Sequence, residues 1–526
     1  MPKHSANRLP FRWWPGAAIL VLVEAAVTAL WSPQIPNRDQ SVMWSVITLS
    51  TSPILILLWL LAFSRLPVKH RLLASGGFIL FLGILFSLIR ITGVSGDFVP
   101  TLGWRIGSAP DVDQVSSTAS KSGTDSKGTT PRYPQFLGPD RNGIADEKTT
   151  IRIPGETEEF ATLWKIKVGE GRAGPVVSGN KVLLHHRIDN EEILDALDAE
   201  TGKTLWRSSH ACTYVDSYGM DPGPKSTPTI IDGKVYTYGI QGLLACTDLE
   251  TGKNIWKVDT LKQYQSKKGF FGRCSSPLVE NGLVLLNLGG RHQGKGAGVA
   301  AFKAGSGELV WHATDHEGSY ASPIATTING KRTAIFFTRE GLVGATLGKP
   351  GAVPSLLFQN HYRPAMHASV NAASAISFGG NKVFASTCYR VGATVWEVGK
   401  DGKLSEVWKA QDALDCHFAT PVLYKDRLYG MHGRQEDGMQ ARCIEPETGK
   451  VLWTSGRMDS GCLLVADGKL VILLESGELI IADAQRGGYK ELSRRQVLGK
   501  GRSYPAISGG RLFARDERNM IALKLN

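Results

Sequence analysis

LDAETGKTLW, the stretch Leu197–Trp206, contains TGKT, which is typical of the end of a phosphate-binding loop. Such a loop needs a glycine five residues before its Gly-Lys pair, so that backbone N–H groups can surround the phosphates. Leu197 occupies that position, which excludes a nucleotide site here. The pattern returns as DLETGKNIW at Asp248–Trp256 and as EPETGKVLW at Glu445–Trp453. Three occurrences indicate a structural repeat rather than a single binding site.

Two further markers recur with the same period. Five prolines each lie seven residues before an aliphatic residue, with a Gly, Asn or Asp turn between them: Pro175, Pro228, Pro277, Pro421 and Pro505. This pattern predicts a β-hairpin, and three variants of it bring the number of units to eight: those at Pro323, Ile376 and Leu463. The second marker, aromatic in all units but the last, recurs every 42–55 residues: Trp164, Trp206, Trp256, Trp311, Phe358, Trp408, Trp453 and Leu498.

Units of this length, with about four short strands each, predict the blades of a β-propeller. TGKT is then a hairpin turn, in which Gly accepts left-handed backbone, and the Trp that follows packs on the next strand. The chain enters with the strand ATLWKIKV at 161–168 and ends one strand short of a blade, at NMIALKLN, 519–526. We therefore expect an all-β, eight-bladed propeller over residues 132–526, whose first strand completes the last blade and removes both sheet edges.

Three apolar segments precede the propeller, at about 13–31, 42–63 and 72–92. Each is long enough to cross a hydrocarbon core of about 30 Å as a helix, so residues 1–106 are predicted to form a membrane anchor with three transmembrane helices. Residues 107–131 are rich in Ser, Thr, Gly and Asp, a composition typical of a flexible linker.

The charges beside these segments predict the orientation. Lys3, Arg8 and Arg12 precede the first segment, and SRLPVKHR at 64–71 joins the second to the third, whereas the first loop carries one Arg and one Asp. Positive loops stay in the cytoplasm. We therefore expect a multi-pass protein of the cytoplasmic (inner) membrane with its propeller on the periplasmic or outer side.

Composition and charge exclude several classes of protein. Lys and Arg exceed Asp and Glu by 60 to 48, but they form no basic block of the kind that nucleic-acid binding favours. No nucleic-acid partner is therefore expected. The seven cysteines include no CxxC and no adjacent pair, which argues against a zinc ribbon or a redox dithiol.

The unit ALDAETGKTLW resembles the pyrroloquinoline-quinone (PQQ) repeat family, and the resemblance covers about Leu163–Asn526. The lead-in YPQFLGPDRNGI, residues 133–144, also resembles that of exported bacterial propellers of this type. The resemblance implies one of two functions. Quinoprotein dehydrogenases bind PQQ and calcium in the central channel and oxidise alcohols or sugars. Other members, such as the propeller lipoprotein of the outer-membrane assembly machinery, keep the repeats and bind proteins.

The dehydrogenase branch implies an adjacent-cysteine disulfide, a stacking Trp, a calcium ligand set and a catalytic Asp. The chain has no adjacent cysteines, and no calcium set stands out by spacing. We therefore expect a ligand- or protein-binding scaffold of the cell envelope, with no cofactor assigned. The alternative is a quinoprotein alcohol or sugar dehydrogenase, which would use PQQ and calcium.

A binding site is predicted at the mouth of the channel, where the segments that lead into the innermost strands meet. The residues expected there are Arg172, Lys225, Arg273, Tyr320, His417 and Arg502. Four of them are cations in the neighbouring blades eight, one, two and three, and a concave site of one charge sign attracts the opposite sign. The partner is expected to be an anionic small ligand or an acidic segment of an envelope protein; the alternative is a set of solvated charges.

Other motifs are given structural interpretations. HATDH at His312–His316 follows a strand, so its histidines lack the helix that would bring them to one metal. His185 and His186 are expected on opposite faces of a strand. GKGAGVAAF at Gly294–Phe302 is interpreted as a Gly-rich hairpin. YRPAMHASVNAAS at Tyr362–Ser374, with His367 and Asn371, is interpreted as an irregular loop.

Overall fold

The computed structural model divides the chain into two compact units, which are described separately. The described residues are 12–31, 38–94, 100–104, 132–145, 149–216, 218–219, 221–366 and 369–526. The predicted linker 107–131 and His367 lie outside them.

The N-terminal unit consists of apolar helices followed by a hairpin. Its elements are α1 (Trp14–Leu30), α2 (Arg38–Leu58) with a π-helical turn at Trp59–Phe63, α3 (Val68–Leu88), β1 (Ile89–Val94) and β2 (Pro100–Trp104). The Trp59 ring packs so closely on Gly16 that a Cβ there would lie 2.9 Å from it. Large apolar side chains point outward from all three helices, including Leu22, Leu73 and Phe86, which are 68%, 76% and 73% exposed.

The predicted spans agree with this unit in part. Two helical segments, Ser41–Phe63 and Val68–Leu88, are long and apolar enough to cross a membrane, whereas Trp14–Leu30 is apolar but only 17 residues long. The third predicted span, 72–92, extends too far, because the helix ends at Leu88 and β1 begins at Ile89. The β-branched residues of the sequence IRIT favour extended backbone there.

The propeller contains eight sheets within the described residues. Two short strands precede the repeats: β3 (Arg132–Tyr133) and β4 (Thr162–Lys167). Blade one contains β5 (Val176–Ser178), β6 (Lys181–Ile188), β7 (Glu191–Asp198) and β8 (Thr204–Ala211). Blade two contains β9 (Thr229–Ile231), β10 (Lys234–Tyr238), β11 (Leu243–Asp248) and β12 (Asn254–Asp259), and helix α4 (Thr260–Tyr264) follows it.

The next four blades repeat this order from the channel outward. Blade three contains β13 (Leu278–Glu280), β14 (Leu283–His292), β15 (Lys295–Lys303) and β16 (Leu309–Ala313), and blade four β17 (Ile324–Ile328), β18 (Lys331–Phe337), β19 (Gly341–Thr346) and β20 (Ser355–His361). Blade five contains β21 (Ile376–Phe378), β22 (Lys382–Thr387), β23 (Gly392–Val398) and β24 (Leu404–Ala410), and blade six β25 (Val422–Tyr424), β26 (Arg427–His432), β27 (Gln440–Ile444) and β28 (Val451–Thr454).

The last two blades lead to the closure of the ring. Blade seven contains β29 (Gly461–Ala466), β30 (Lys469–Leu474), β31 (Glu478–Asp483) and β32 (Glu491–Gln496), and blade eight β33 (Ala506–Ser508), β34 (Arg511–Arg515) and β35 (Asn519–Lys524). Strand β4 pairs with β35 in antiparallel register, with Trp164 opposite Ala522. The prediction that the first strand completes the eighth blade is therefore confirmed.

The repeated Gly and Trp contact each other across neighbouring blades. Trp206 of blade one donates its Nε1 hydrogen to the Leu249 carbonyl in the turn of blade two, 3.0 Å away. A Cβ on Gly252 of that turn would lie 2.6 Å from the Trp206 ring. Trp164 makes the same contacts with Ala199 and Gly202 of blade one. Each such Trp thus packs on the turn of the following blade and not only on its own sheet.

A ring of hydrogen bonds joins the blades around the channel. In blades one to six, the residue two positions before the inner strand donates its backbone N–H to a side-chain hydroxyl of another blade, which is the next blade in the first five cases. The bonds are Gly174 to Thr227, Thr227 to Ser276, Ser276 to Ser322, Ser322 to Ser374, Ser374 to Thr420, and Thr420 to the Tyr504 hydroxyl, at 2.7–3.1 Å. Buried N–H groups need such partners, and the last bond reaches from blade six to blade eight.

The lead-in, residues 133–144, crosses the channel at the end where the first hairpin turns lie. It starts as β3, beside β5 of blade one. The Pro134 carbonyl accepts a hydrogen bond from Ile230 of blade two. Further along the segment, Arg141 donates to the Pro277 carbonyl of blade three, and Ile144 pairs with Val465 of blade seven. Phe136 contacts Tyr504 with 5.1 Å between ring centroids. This segment, called the plug below, obstructs that end of the channel.

Candidate functional site

The opposite end of the channel, called the mouth below, is formed by the segments that lead into each inner strand. Three of the four predicted cations lie on adjacent segments there: Arg502, Arg172 and Lys225. The backbone N–H of Arg172 donates to the Pro224 carbonyl at 2.8 Å. The hydroxyl of Ser503, beside Arg502, donates to the Ala173 carbonyl at 3.2 Å. These contacts hold the segments of blades eight, one and two side by side.

Arg172 acts electrostatically on the other two cations. Burial lowers the pKa of Lys225, and the nearby positive charge of Arg172 lowers it further. The pKa of Arg502 falls well below its ordinary value, first because of burial and then because of Arg172. The Lys225 Nζ donates to the Asp221 carbonyl at 2.6 Å rather than to a carboxylate. A bound anion would relieve this repulsion.

The fourth predicted cation, Arg273, is placed differently. Its guanidinium is buried under a loop of blade two, where it donates to the Gln241 carbonyl at 2.8 Å and to the Ser266 hydroxyl at 2.8 Å. Arg273 is therefore a structural clamp and does not extend the cationic arc. The next residue, Cys274, is close enough to Lys225 and Arg172 for their charges to act on its thiol, although burial raises the pKa of that thiol to about 11.

Tyr320 and His417 both make internal hydrogen bonds. The Tyr320 hydroxyl accepts from the backbone N–H groups of Phe270 and Phe271, at 2.7 and 3.0 Å. The His417 Nε2 lies 2.9 Å from the Tyr389 hydroxyl, while its buried Nδ1 has no partner among the described residues. Burial lowers the pKa of His417 to about 4, so its ring is neutral at pH 7.

Arg502 joins blade eight to blades six and seven. Its Nε bonds to Glu475 and its Nη2 to the side-chain oxygen of Gln435. The guanidinium also lies over the Phe418 ring, 4.3 Å from the centroid. Gln435 belongs to the loop 433–439 between β26 and β27, so this loop reaches past blade seven towards blade eight. Part of the Arg502 charge is therefore compensated by Glu475.

The same loop contributes two charged residues that the sequence did not single out. The Arg434 guanidinium lies over the Tyr389 ring at 5.1 Å and 3.2 Å from the Glu436 carboxylate. Glu436 is close enough to His417 and Arg502 to act on their charges. The signal in the sequence was the long connection GRQEDG between two predicted strands. Its length marks an insertion at the mouth, but nothing in it shows which way it folds.

The described residues form no group of three or more His, Cys, Asp or Glu side chains that could hold a metal ion. All seven cysteines are free thiols, six of them buried. His312 and His316 bind different partners, the Gly296 carbonyl and the Thr338 hydroxyl. His185 and His186 also diverge, towards Glu192 and Asp195 respectively.

The two remaining motifs form ordinary secondary structure and packing. Gly294 lies in the turn of a hairpin whose second strand, β15, carries GKGAGVAAF, as predicted. In the irregular segment before β21, the Asn371 side-chain amide is buried and donates to the Thr338 carbonyl at 2.9 Å. Asn371 thus ties the segment to blade four, which supports its structural interpretation.

Comparisons with known proteins give two kinds of relative. A family model described as outer membrane protein assembly factor BamB matches residues 189–430. BamB of Yersinia pestis is 24% identical over 294 residues, which is 55% of this chain and 70% of that protein. The dehydrogenase subunit of the quinone alcohol dehydrogenase of Acetobacter aceti is 34% identical over 124 residues, 22% of this chain and 16% of that subunit. The chain thus spans only about a sixth of the length of this dehydrogenase relative.

Solved structures show the same two kinds. BamB from Moraxella catarrhalis superposes with a TM-score of 0.51 at 13% identity, covering 69% of this chain and 100% of that one. Quinohemoprotein alcohol dehydrogenase from Comamonas testosteroni gives 0.53 at 12% identity, covering 75% and 80%. The repeat matches and the eight-bladed architecture together identify this domain as a PQQ-like repeat propeller.

Proposed function

We propose that this PQQ-like propeller is a binding module of the cell envelope that takes an anionic ligand, or an acidic segment of a partner protein, at its mouth. The observation that carries the proposal is the adjacency of Arg172, Lys225 and Arg502. Burial lowers the pKa of Lys225 and of Arg502, and the positive charge of Arg172 lowers both further. Cations grouped in a concave site focus the field on an incoming anion. Arginine also holds carboxylates and phosphates through two parallel hydrogen bonds.

The path of the chain supports an approach from this side. The plug crosses the other end of the channel, from β5 in blade one to Val465 in blade seven. Between the two ends, the hydrogen bonds from backbone N–H groups to the hydroxyls of neighbouring blades hold the segments before the inner strands together. A ligand therefore meets the cations first when it enters at the mouth.

We further propose that the helices anchor the propeller to the cytoplasmic membrane, with the propeller on its outer side. Two helical segments are long and apolar enough to span, and their apolar side chains are exposed, as lipid-facing side chains are. Alkaline phosphatase fused after Asn526 is expected to be active, because it folds only after export. Green fluorescent protein at the same position should stay dark, and a fluorescent fusion would contradict this orientation.

The mouth proposal predicts that the affinity for an anionic probe depends strongly on Arg172 and Lys225. PQQ, a tricarboxylate, and a Glu-rich peptide serve as probes, titrated into the full chain in detergent by calorimetry. The double variant Arg172→Ser, Lys225→Met should weaken binding of the anionic probe at least about tenfold, equivalent to about 1.4 kcal/mol. Binding should also weaken as salt is raised, because salt screens the field that draws an anion from solvent to the mouth.

The matched control removes two cations from exposed outer strands, Lys165→Ser and Lys257→Ser. It changes the net charge equally and should leave probe affinity within about twofold. Equal losses in both double variants, or no loss in either, would contradict the proposal.

The same titration has a pH signature. Because the pKa of free Lys225 is lowered and a bound anion raises it again, affinity should fall as pH rises, starting below the range of an ordinary lysine. Lys225→Arg keeps the charge and should flatten that fall.

The alternative function is a quinoprotein dehydrogenase. Its support is the similarity to the Acetobacter aceti dehydrogenase subunit and the match between three cations and a tricarboxylate. In this case PQQ would be held by Arg172, Lys225 and Arg502, and PQQ when bound supplies a two-electron acceptor for alcohols or sugars. The purified chain loaded with PQQ and calcium would then reduce a dye in the presence of alcohol or sugar, whereas the binding-module proposal expects capture without turnover.

A further inference from the structure

A cavity of about 220 Å³ lies beside the plug, and its lining does not include Arg172, Lys225 or Arg502. Its walls are the inner strands of blades four, five and six, and its remaining side is formed by residues 140–142 of the plug. The lining is mixed, with aliphatic side chains such as Ile324 and Leu423 next to hydroxyls such as Thr326 and Ser377. Drug-sized ligands occupy about 300–1,000 Å³, so this cavity suits a smaller molecule.

Two charged residues line this cavity, Asp140 and Arg141, and Arg141 is buried, with 6% of its surface exposed. Its Nη1 donates to the Pro277 carbonyl at 3.1 Å and to the Gln135 side-chain oxygen at 3.2 Å. Its Nη2 donates to the Ser276 carbonyl at 3.3 Å. The Nε has no hydrogen-bond partner among the described residues.

Among the described residues, Arg141 forms no ion pair with a carboxylate, although Asp140 lines the same cavity. The pKa of Arg141 is lowered to about 9 by burial alone, without a contribution from any acidic group. Buried charges in proteins are normally paired, so an unpaired guanidinium in a cavity wall is an unusual feature. A guanidinium has five N–H donors, and the contacts above use three of them. The Nε hydrogen and one Nη2 hydrogen remain for a ligand.

We propose that this cavity is a second binding site, for a small oxyanion with a short apolar part, such as a short-chain carboxylate or an alkyl phosphate. The oxyanion would pair with Arg141 through two parallel hydrogen bonds, while its apolar part contacts Ile324 and Leu423. Thr326 and Ser377 offer hydroxyl donors to the same oxyanion. The site is separate from the mouth and does not depend on the function proposed there.

The test uses the full chain in detergent and three probes. Butyrate and methyl phosphate represent the two sources of the oxyanion, and butyramide is a neutral molecule of the same shape as butyrate. Calorimetric titration should detect butyrate or methyl phosphate and not butyramide. The anion that binds more tightly identifies the source. Absence of binding by both anions, or equal binding of butyramide, would overturn the proposal.

Two variants locate the site. Arg141→Lys keeps the charge but loses the paired geometry, and it should weaken anion binding about tenfold. Because Arg141 also fixes the plug, its replacement can disturb folding, so Ser377→Leu provides the second test. This substitution fills the cavity without touching any contact of Arg141, and it should abolish binding while the melting temperature stays close to that of the original chain.

The mouth variant gives the control that separates the two sites. Arg172→Ser with Lys225→Met should leave butyrate binding unchanged, and Ser377→Leu should leave capture of PQQ or of the Glu-rich peptide unchanged. Loss of butyrate binding in the mouth variant would show that the anion binds at the mouth, and the second site would then be rejected.

Discussion

Replacing Trp164 by alanine is expected to lower the free energy of unfolding of the propeller by about 3–5 kcal/mol, the range found for buried Trp to Ala substitutions. Trp164 lies on β4, the strand that closes the ring, and is only 6% exposed. It packs against Phe513 at 5.9 Å between ring centroids and donates to the Ala199 carbonyl at 3.1 Å. One side chain thus joins blade eight to blade one at the seam.

The neighbouring residue provides the control for this experiment. Leu163 lies on the same strand with 36% of its surface exposed, so Leu163→Ala removes fewer buried contacts and should cost about 1 kcal/mol or less. Both variants are compared with the original chain by denaturant unfolding in detergent. Equal destabilisation by the two substitutions would contradict the role of Trp164 at the seam.

Truncation tests the closure itself. A chain that begins at Gly169 lacks β4 and leaves β35 without its partner strand. An open edge pairs with other chains, so this fragment should oligomerise or unfold. A stable monomer that melts like the longer chain would exclude a structural role for β4.

The fold was predictable because its signals are local and repeated. The ETGK turn and the Trp that follows it recur in three units, and each unit contains the turns and apolar runs of its own strands. The closing strand was also predictable. Strand β4 precedes the first repeat and belongs to no complete unit, whereas the last unit lacks one strand, so the two complete each other. Neither inference requires knowledge of where any side chain points.

Side-chain direction is what the sequence could not supply for the site. Arg273 and Cys274 are adjacent, and the repeat spacing alone could assign either to the mouth. The loop of blade two decides between them, because its Gln241 carbonyl and the Ser266 hydroxyl bind the Arg273 guanidinium. Those partners come from other segments, and no pattern around Arg273 indicates them.

Two further features were not predicted from the sequence because they depend on long-range contacts: the path of the lead-in and the hydrogen bonds between blades. The sequence of the lead-in did not indicate that this segment crosses the channel. The contacts that hold it there join distant parts of the chain, as between Arg141 and Pro277, which are 136 residues apart. The hydrogen bonds between blades did leave a trace in the sequence, because Thr227, Ser276 and Thr420 each stand two residues before an inner strand. Only the closed ring shows that these hydroxyls accept hydrogen bonds from the preceding blade.

The contact between the Gly of one blade and the Trp of the preceding one leads to the second large effect. Gly252 has a φ of +70°, and a Cβ there would lie 2.6 Å from the Trp206 ring. Gly252→Ala therefore combines a left-handed alanine, which costs about 1–2 kcal/mol, with overpacking, which costs about 1–3 kcal/mol. We expect a loss of about 2–5 kcal/mol in the free energy of unfolding.

Gly233 of the same blade is a matched control, because its φ is also +70° and a Cβ there would meet nothing within 4 Å. Gly233→Ala should therefore cost only the backbone contribution of about 1–2 kcal/mol, and the difference between the two variants measures the contact with Trp206. In a Trp206→Leu background the ring is absent, so the costs of the two alanines should converge. If Gly252→Ala remains more costly there, the indole ring is not the reason that glycine recurs in this turn.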